Sequence, residues 1–284
     1  MSTATSEWVT PGTSKGLLSV ITTHRYLLQR IVRKEMLVRY RGSVLGWIWS
    51  YMKPTVQFLV FWLALGVGLG RNGAIDGYPI YLLSGIVLVN FFSEAFGNAT
   101  KSLPDNTNLV QKIYLPRELF PASSVLIAFV NFLPQVVVLL VVCVIFGWHP
   151  SLLSILAIIC GIGIVGILAT GLGLFFGAIN VSFRDAQNFV DLILLVAMWG
   201  SPVLYQASVL DSAPRWIQIV YNLNPVTPAV ELMHYGFWGG ILPDPSVAVG
   251  FTWYTLIALA SSLVIVVVGQ LVFRKLEGRF AQDL

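Results

Sequence analysis

Long uncharged apolar runs constrain this chain more than any other feature. Residues 55–70, 119–146 and 152–179 each pass without an Asp, Glu, Lys or Arg. Crossing about 30 Å of hydrocarbon takes roughly 20 apolar residues as a helix, because only an internally bonded backbone is stable where water is absent. The runs are continuous rather than alternating, so the expected class is an all-α integral membrane protein and not a β-barrel. Of the 284 residues, 56% are hydrophobic and only 11% are charged, against roughly 25% charged in soluble domains.

Six transmembrane helices are expected, over residues 46–68, 78–99, 119–146, 152–179, 189–204 and 252–273, with a kink at Pro134 in the third. The first is expected to be retained rather than cleaved, because residues 1–15 are polar and the apolar run comes late. Basic residues set the direction. Arg25, Arg30, Arg33, Lys34, Arg39, Arg41 and Lys53 precede or open the first span; Lys101, Lys112 and Arg117 follow the second, Arg184 the fourth, and Arg274, Lys275 and Arg279 the sixth. All fall on one side, and the other side keeps Arg71 and Arg215, so both termini are expected to be cytoplasmic. The net charge of +4 is therefore topological and does not point to nucleic acid.

Residues 1–21 read as a mobile cytoplasmic tail, 22–45 as an amphipathic interface helix, and 46–284 as the transmembrane domain. In the interface helix Leu27, Leu28, Ile31, Val32 and Val38 share one arc, and Arg30, Lys34 and Arg41 the other. Glu35 and Arg39 intrude on the apolar arc. Residues 205–250 hold two short apolar helical stretches broken by Pro214, Pro225 and Pro228. Each is too short to span, and together they read as an external re-entrant helical hairpin between the fifth and sixth spans. In the fourth span Ala169, Gly173 and Gly177 form a small-residue stripe that serves either packing within the chain or a dimer contact.

Little in the sequence suggests catalysis. His24, His149 and His234 are scattered and give no metal-ligand spacing, so no metal site is expected. Cys143 and Cys160 lie in apolar runs and read as small hydrophobes. Glu94 is the most conspicuous carboxylate inside a span; it either lines a path or makes a structural hydrogen bond to a neighbouring span. No phosphate-binding GxxxxGK[ST] loop is present, so if ATP drives this protein, a separate chain binds it. Two loops on the basic side, residues 101–121 and 180–191, form a plausible surface for such a partner.

Five stretches in order resemble a known family: RYRGSVLGWIWSYMKP, YLPRELFPASSVL, NVSFRDAQNFV, SPVLY and LNPVTPAVELMHYG. They are similar to the permease subunit of ABC-2-type polysaccharide exporters, the Wzm-like proteins for O antigens and their relatives for capsules, teichoic acids and mycobacterial galactan. The match runs from about residue 22 to the end.

That resemblance implies a homodimer of six-span subunits in a bacterial inner membrane. It implies two copies of a soluble nucleotide-binding subunit carrying ATP and Mg, and no cofactor in this chain. Coupling to the ATPase would fall on Asn106, Asn108, Gln111, Lys112 and Tyr114, and on Phe183, Arg184 and Asp185. Arg41 and Lys53 would either meet the diphosphate of a lipid-linked polysaccharide at the entrance or serve only as positive-inside anchors. Aromatic faces slide along sugar C–H groups, so Phe91, Phe92, Trp199, Tyr205, Trp216 and Tyr235, with Glu94, are candidates for the translocation path. Export of a small lipid or drug is the alternative within transport. A membrane-embedded glycan transferase or a proton-driven carrier would need ionisable clusters that the spans lack.

Overall fold

A computed structural model describes residues 16–40, 42, 46, 48–112, 115–242 and 248–280. Among them there is no β-strand, and the chain is all-helical. Two helices lead in, α1 (Leu17–Thr23) and α2 (Arg25–Tyr40). Then come α3 (Ile48–Phe61), which continues directly as a π-helical stretch Trp62–Gly68, and the short α4 (Arg71–Ala74). The long α5 (Tyr78–Asp105) passes into α6 (Thr107–Lys112), followed by α7 (Leu119–Ile145) and α8 (Leu152–Ser182). The remaining helices are α9 (Ala186–Trp199), α10 (Arg215–Leu223), α11 (Val226–Phe237) and α12 (Trp253–Glu277).

Four of these, α5, α7, α8 and α12, are long and apolar enough to cross a membrane. The expected first span is divided between α3 and its π-helical continuation. The expected fifth is the 14-residue α9, which stops at Trp199 rather than near residue 204. The stop has a local cause, since Gly200, Ser201 and Pro202 follow and the residue before a proline is driven out of the helical region.

The second span runs past its expected end at 99 to Asp105. Its polar residues stay in the helix by bonding back to it: the Thr100 hydroxyl donates to the Phe96 carbonyl at 3.0 Å and Ser102 to that of Ala99 at 2.7 Å. Asn180 of α8 donates to the Thr100 carbonyl at 3.1 Å. The α7 helix continues unbroken through Pro134.

The centre of the molecule is α5, buried along most of its length among α7, α8, α9 and α11. Gly166 of α8 lies beside Phe91, and Gly173 and Gly177 lie against Ala99, so α5 and α8 run parallel. Gly171 meets the backbone of Ile265 and Val266, Gly269 meets both Gly171 and Leu174, and Phe273 clusters with Leu174, Ala178 and Val181, so α12 runs parallel as well. The small-residue stripe of the fourth span thus packs within this chain, against α5.

Candidate functional site

Two exposed turns share the end of the molecule that carries most of the basic residues. The first is α6, attached directly to the end of α5. Asn106 caps α5, its amide donating to the Ser102 carbonyl at 3.0 Å and its oxygen accepting from Lys34 Nζ at 3.4 Å. Val110 turns inward and is 5% exposed, packed in a cluster with Leu103, Phe120, Phe273 and Phe280. Asn108 and Gln111 face outward. Tyr114 and the Lys112 side chain lie outside the described residues.

The second is the turn between α8 and α9, where Phe183, Arg184 and Asp185 are all exposed. Phe183 leaves 69% of its surface open. Ala178 and Val181 of α8 belong to the same buried cluster as Val110. Residues next to the two candidate loops thus share one buried cluster.

A third piece joins them. Leu28 and Ile31 of α2 are buried against Leu119 and Ala122 at the start of α7, whereas Leu37 and Val38 are 66% and 55% exposed. Arg39 Nη1 donates to Glu94 Oε1 at 2.5 Å, and Asn131 Nδ2 of α7 donates to the same oxygen at 2.7 Å. One turn away, Asn90 Nδ2 donates to Gln57 Oε1 of α3 at 3.2 Å. Glu94 thus makes the structural hydrogen bonds that were one of its two readings. Neither Arg39 nor Asn131 was singled out from sequence; the available signal was the intrusion of Arg39 into the apolar arc.

Beside this hub the start of α7 is fastened to the end of α12. Glu118, fully buried, accepts from Gln270 Nε2 at 2.6 Å. Arg117 donates to the Glu277 carbonyl and lies over the Phe280 ring.

The aromatic candidates divide sharply. Phe91 and Phe92 are buried in the core, Phe91 with its ring 4.9 Å from that of Phe132 and Phe92 5.7 Å from Phe96. Trp199 and Trp216 are 55% and 67% exposed. Tyr205 is half-buried, its hydroxyl donating to the Trp199 carbonyl at 2.9 Å. Tyr235 is also half-buried, next to Gly250. Lys53 is exposed on α3, and Arg41 lies outside the described residues.

At the opposite end, α11 starts beside Gly161 of α8 and finishes beside Trp148, whose Nε1 donates to the Gly236 carbonyl at 3.0 Å. Its His234 ring stacks on Tyr81 of α5 at 3.7 Å, and Trp238 Nε1 donates to the Asp76 carbonyl at 2.6 Å. Gly77, at φ +67°, allows this closeness, because a β-carbon there would press into Ile241. While α11 is almost wholly buried, α10 holds no buried residue.

Comparison with known proteins places this arrangement. The family described as ABC-2 type transporter matches residues 26–238. The O-antigen export system permease protein RfbA of Myxococcus xanthus is 30% identical over 257 residues, 87% of this chain and 94% of its own length. The protein of the same name from Klebsiella pneumoniae is 28% identical over 91% of this chain and 95% of its own. The polysialic acid transport protein KpsM of Escherichia coli is 20% identical over 82% of this chain and 89% of its own.

Proposed function

The chain belongs to the ABC-2 type transporter family, and from that premise we propose that it is the permease subunit of an ATP-driven exporter of a lipid-linked polysaccharide. The observation that carries the reading is the end-to-end similarity to O-antigen export permeases, at 28–30% identity over nine-tenths of each chain. The geometry supports it with two exposed turns gathered at one basic end.

In this reading the chain is non-catalytic and works as a homodimer with two copies of a soluble ATP-binding subunit, which hold ATP and Mg. The basic end and both termini face the cytoplasm of a bacterium, and the chain sits in the inner membrane. Six passages are formed by α3 with its π-helical continuation, α5, α7, α8, α9 and α12. The α10–α11 pair dips into the outer leaflet and returns. Asn106, Asn108, Gln111, Lys112 and Tyr114, with Phe183, Arg184 and Asp185, receive the motion of the ATPase. Arg41 and Lys53 flank the entrance for the diphosphate. Trp199 and Trp216, being exposed, are the best placed to face the polymer, with Tyr205 and Tyr235 beside them. Phe91 and Phe92 would reach it only through a movement that uncovers α5.

The test is reconstitution of the chain with the ATP-binding protein that co-purifies with it. Vesicles holding both are expected to move lipid-linked polymer only when ATP is hydrolysed, and the double charge reversal Arg184→Glu, Asp185→Arg is expected to reduce polymer-stimulated ATPase several-fold. Transport by the chain alone, without any ATPase, would falsify the reading.

A further inference from the structure

We propose that Glu94 is a positioning residue: through its ion pair with Arg39 it locks α2 to α5, so that α2 and α6 answer the ATP-binding partner as one body. The inference rests on the exporter reading given above.

The attachment of α2 has two unlike halves. Its first half is held by apolar packing, Leu28 and Ile31 on Leu119 and Ala122, with Leu27 and Val32 beside them. Past Val32 that packing ends, and Leu37 and Val38 point away from the body of the molecule. The second half is fastened by polar groups instead. Arg39 reaches Glu94, and Lys34 reaches Asn106. Glu94 and Asn106 stand twelve residues apart on α5 and its cap, about 18 Å along the helix. So α2 is tied at two separated points to α5 and its cap, and α6 follows directly on that cap.

The anchor point on α5 is itself braced. Asn131 donates to the Glu94 oxygen that also receives Arg39, and Gln135 Nε2, one turn further along α7, donates to the Asn131 carbonyl at 3.3 Å. A carboxylate inside a span is costly unless it is paired or reaches water; here it has a cation from α2 and an amide from α7. The Arg39 and Glu94 side chains remain 38% and 26% exposed, so the pair sits at an edge where it can open. An apolar pivot at Leu28 and Ile31 with a polar fastening at Arg39 would let α2 take two positions, the kind of bistable part that coupling needs.

The experiment uses the full complex with its ATP-binding partner in vesicles, measuring polymer exported per ATP hydrolysed. Arg39→Ala is expected to keep basal ATPase within about 2-fold while the export ratio falls by about 5-fold or more, the lower range of ordinary coupling energies. Glu94→Gln should lower the ratio similarly. Arg39→Lys, which keeps the charge but not the fork, should fall between.

A second readout needs no polymer. Spin labels at Leu37 and Lys101, both exposed, in a complex assembled from one labelled and one unlabelled copy, should give one narrow distance in the parent and a broadened one in Arg39→Ala. The proposal is overturned if Arg39→Ala exports at the parent ratio or if the label distance is unmoved. A parent complex that hydrolyses ATP without moving polymer strikes the exporter reading instead, and the label distance still decides the lock.

Discussion

At Gly171 and Gly269 two helix backbones meet with no side chain between them. A β-carbon built on Gly171 would lie 2.6 Å from the Val266 nitrogen. Gly171→Val is therefore expected to cost about 1–3 kcal/mol or more through overpacking, seen as a lowered unfolding temperature in detergent. Gly163→Ala, on the same helix with nothing within 4 Å, should be close to neutral, within about 0.5 kcal/mol. The aromatic residues separate in the same way. Phe92→Ala should cost about 3–5 kcal/mol because it empties a core site, while Trp216→Ala should leave the unfolding temperature unchanged and reduce export. Sequence made the close approach of Gly173 and Gly177 legible but not its partner, since small size says that something comes near without saying what. Burial of Phe91 and exposure of Trp199 were equally out of reach, because in an apolar span every ring satisfies hydropathy on either face.

Among the elements, α6 is a short helix whose position depends on one inward side chain. Val110→Asp places an unpaired charge among Leu103, Phe120 and Phe273. It is expected to release α6 and to lower recovery of the ATP-binding partner several-fold on co-purification. The double change Asn108→Ala, Gln111→Ala alters only outward groups; it should leave folding intact and weaken stimulation of ATPase. Helix existence was readable from length and apolarity, and a helix over Arg25–Tyr40 from its arc. Ends were read less well where polar residues belong to the helix, as in α5, whose Thr100 and Ser102 bond back to their own backbone. The end of α9 was encoded locally in Gly200, Ser201 and Pro202, but the apolar Val203 and Leu204 beyond them masked it.

For the whole molecule, orientation is the first thing to check. In a background with Cys143→Ala and Cys160→Ala, cysteines at Asn108 and Arg184 should react with an impermeant reagent only from the cytoplasmic side, and one at Trp216 only from outside. Labelling of all three from one side would overturn the topology. Which helices are neighbours was not legible: the parallel set of α5, α8 and α12 depends on backbone contacts between residues about a hundred positions apart, such as Gly171 with Val266. A last consequence follows from the length of α9. Fourteen residues rise about 21 Å, less than the roughly 30 Å of hydrocarbon. Asn224, just ahead of α11, donates to the Gly200 carbonyl where α9 stops, so in the proposed six-passage arrangement the lipid at that side would face a wall too short for it. A bilayer adapts to such a mismatch by thinning. In that arrangement the barrier beside α9 would be shallower by up to about 9 Å than elsewhere around the protein, and thicker membranes should slow export while leaving the ATPase rate of the partner untouched.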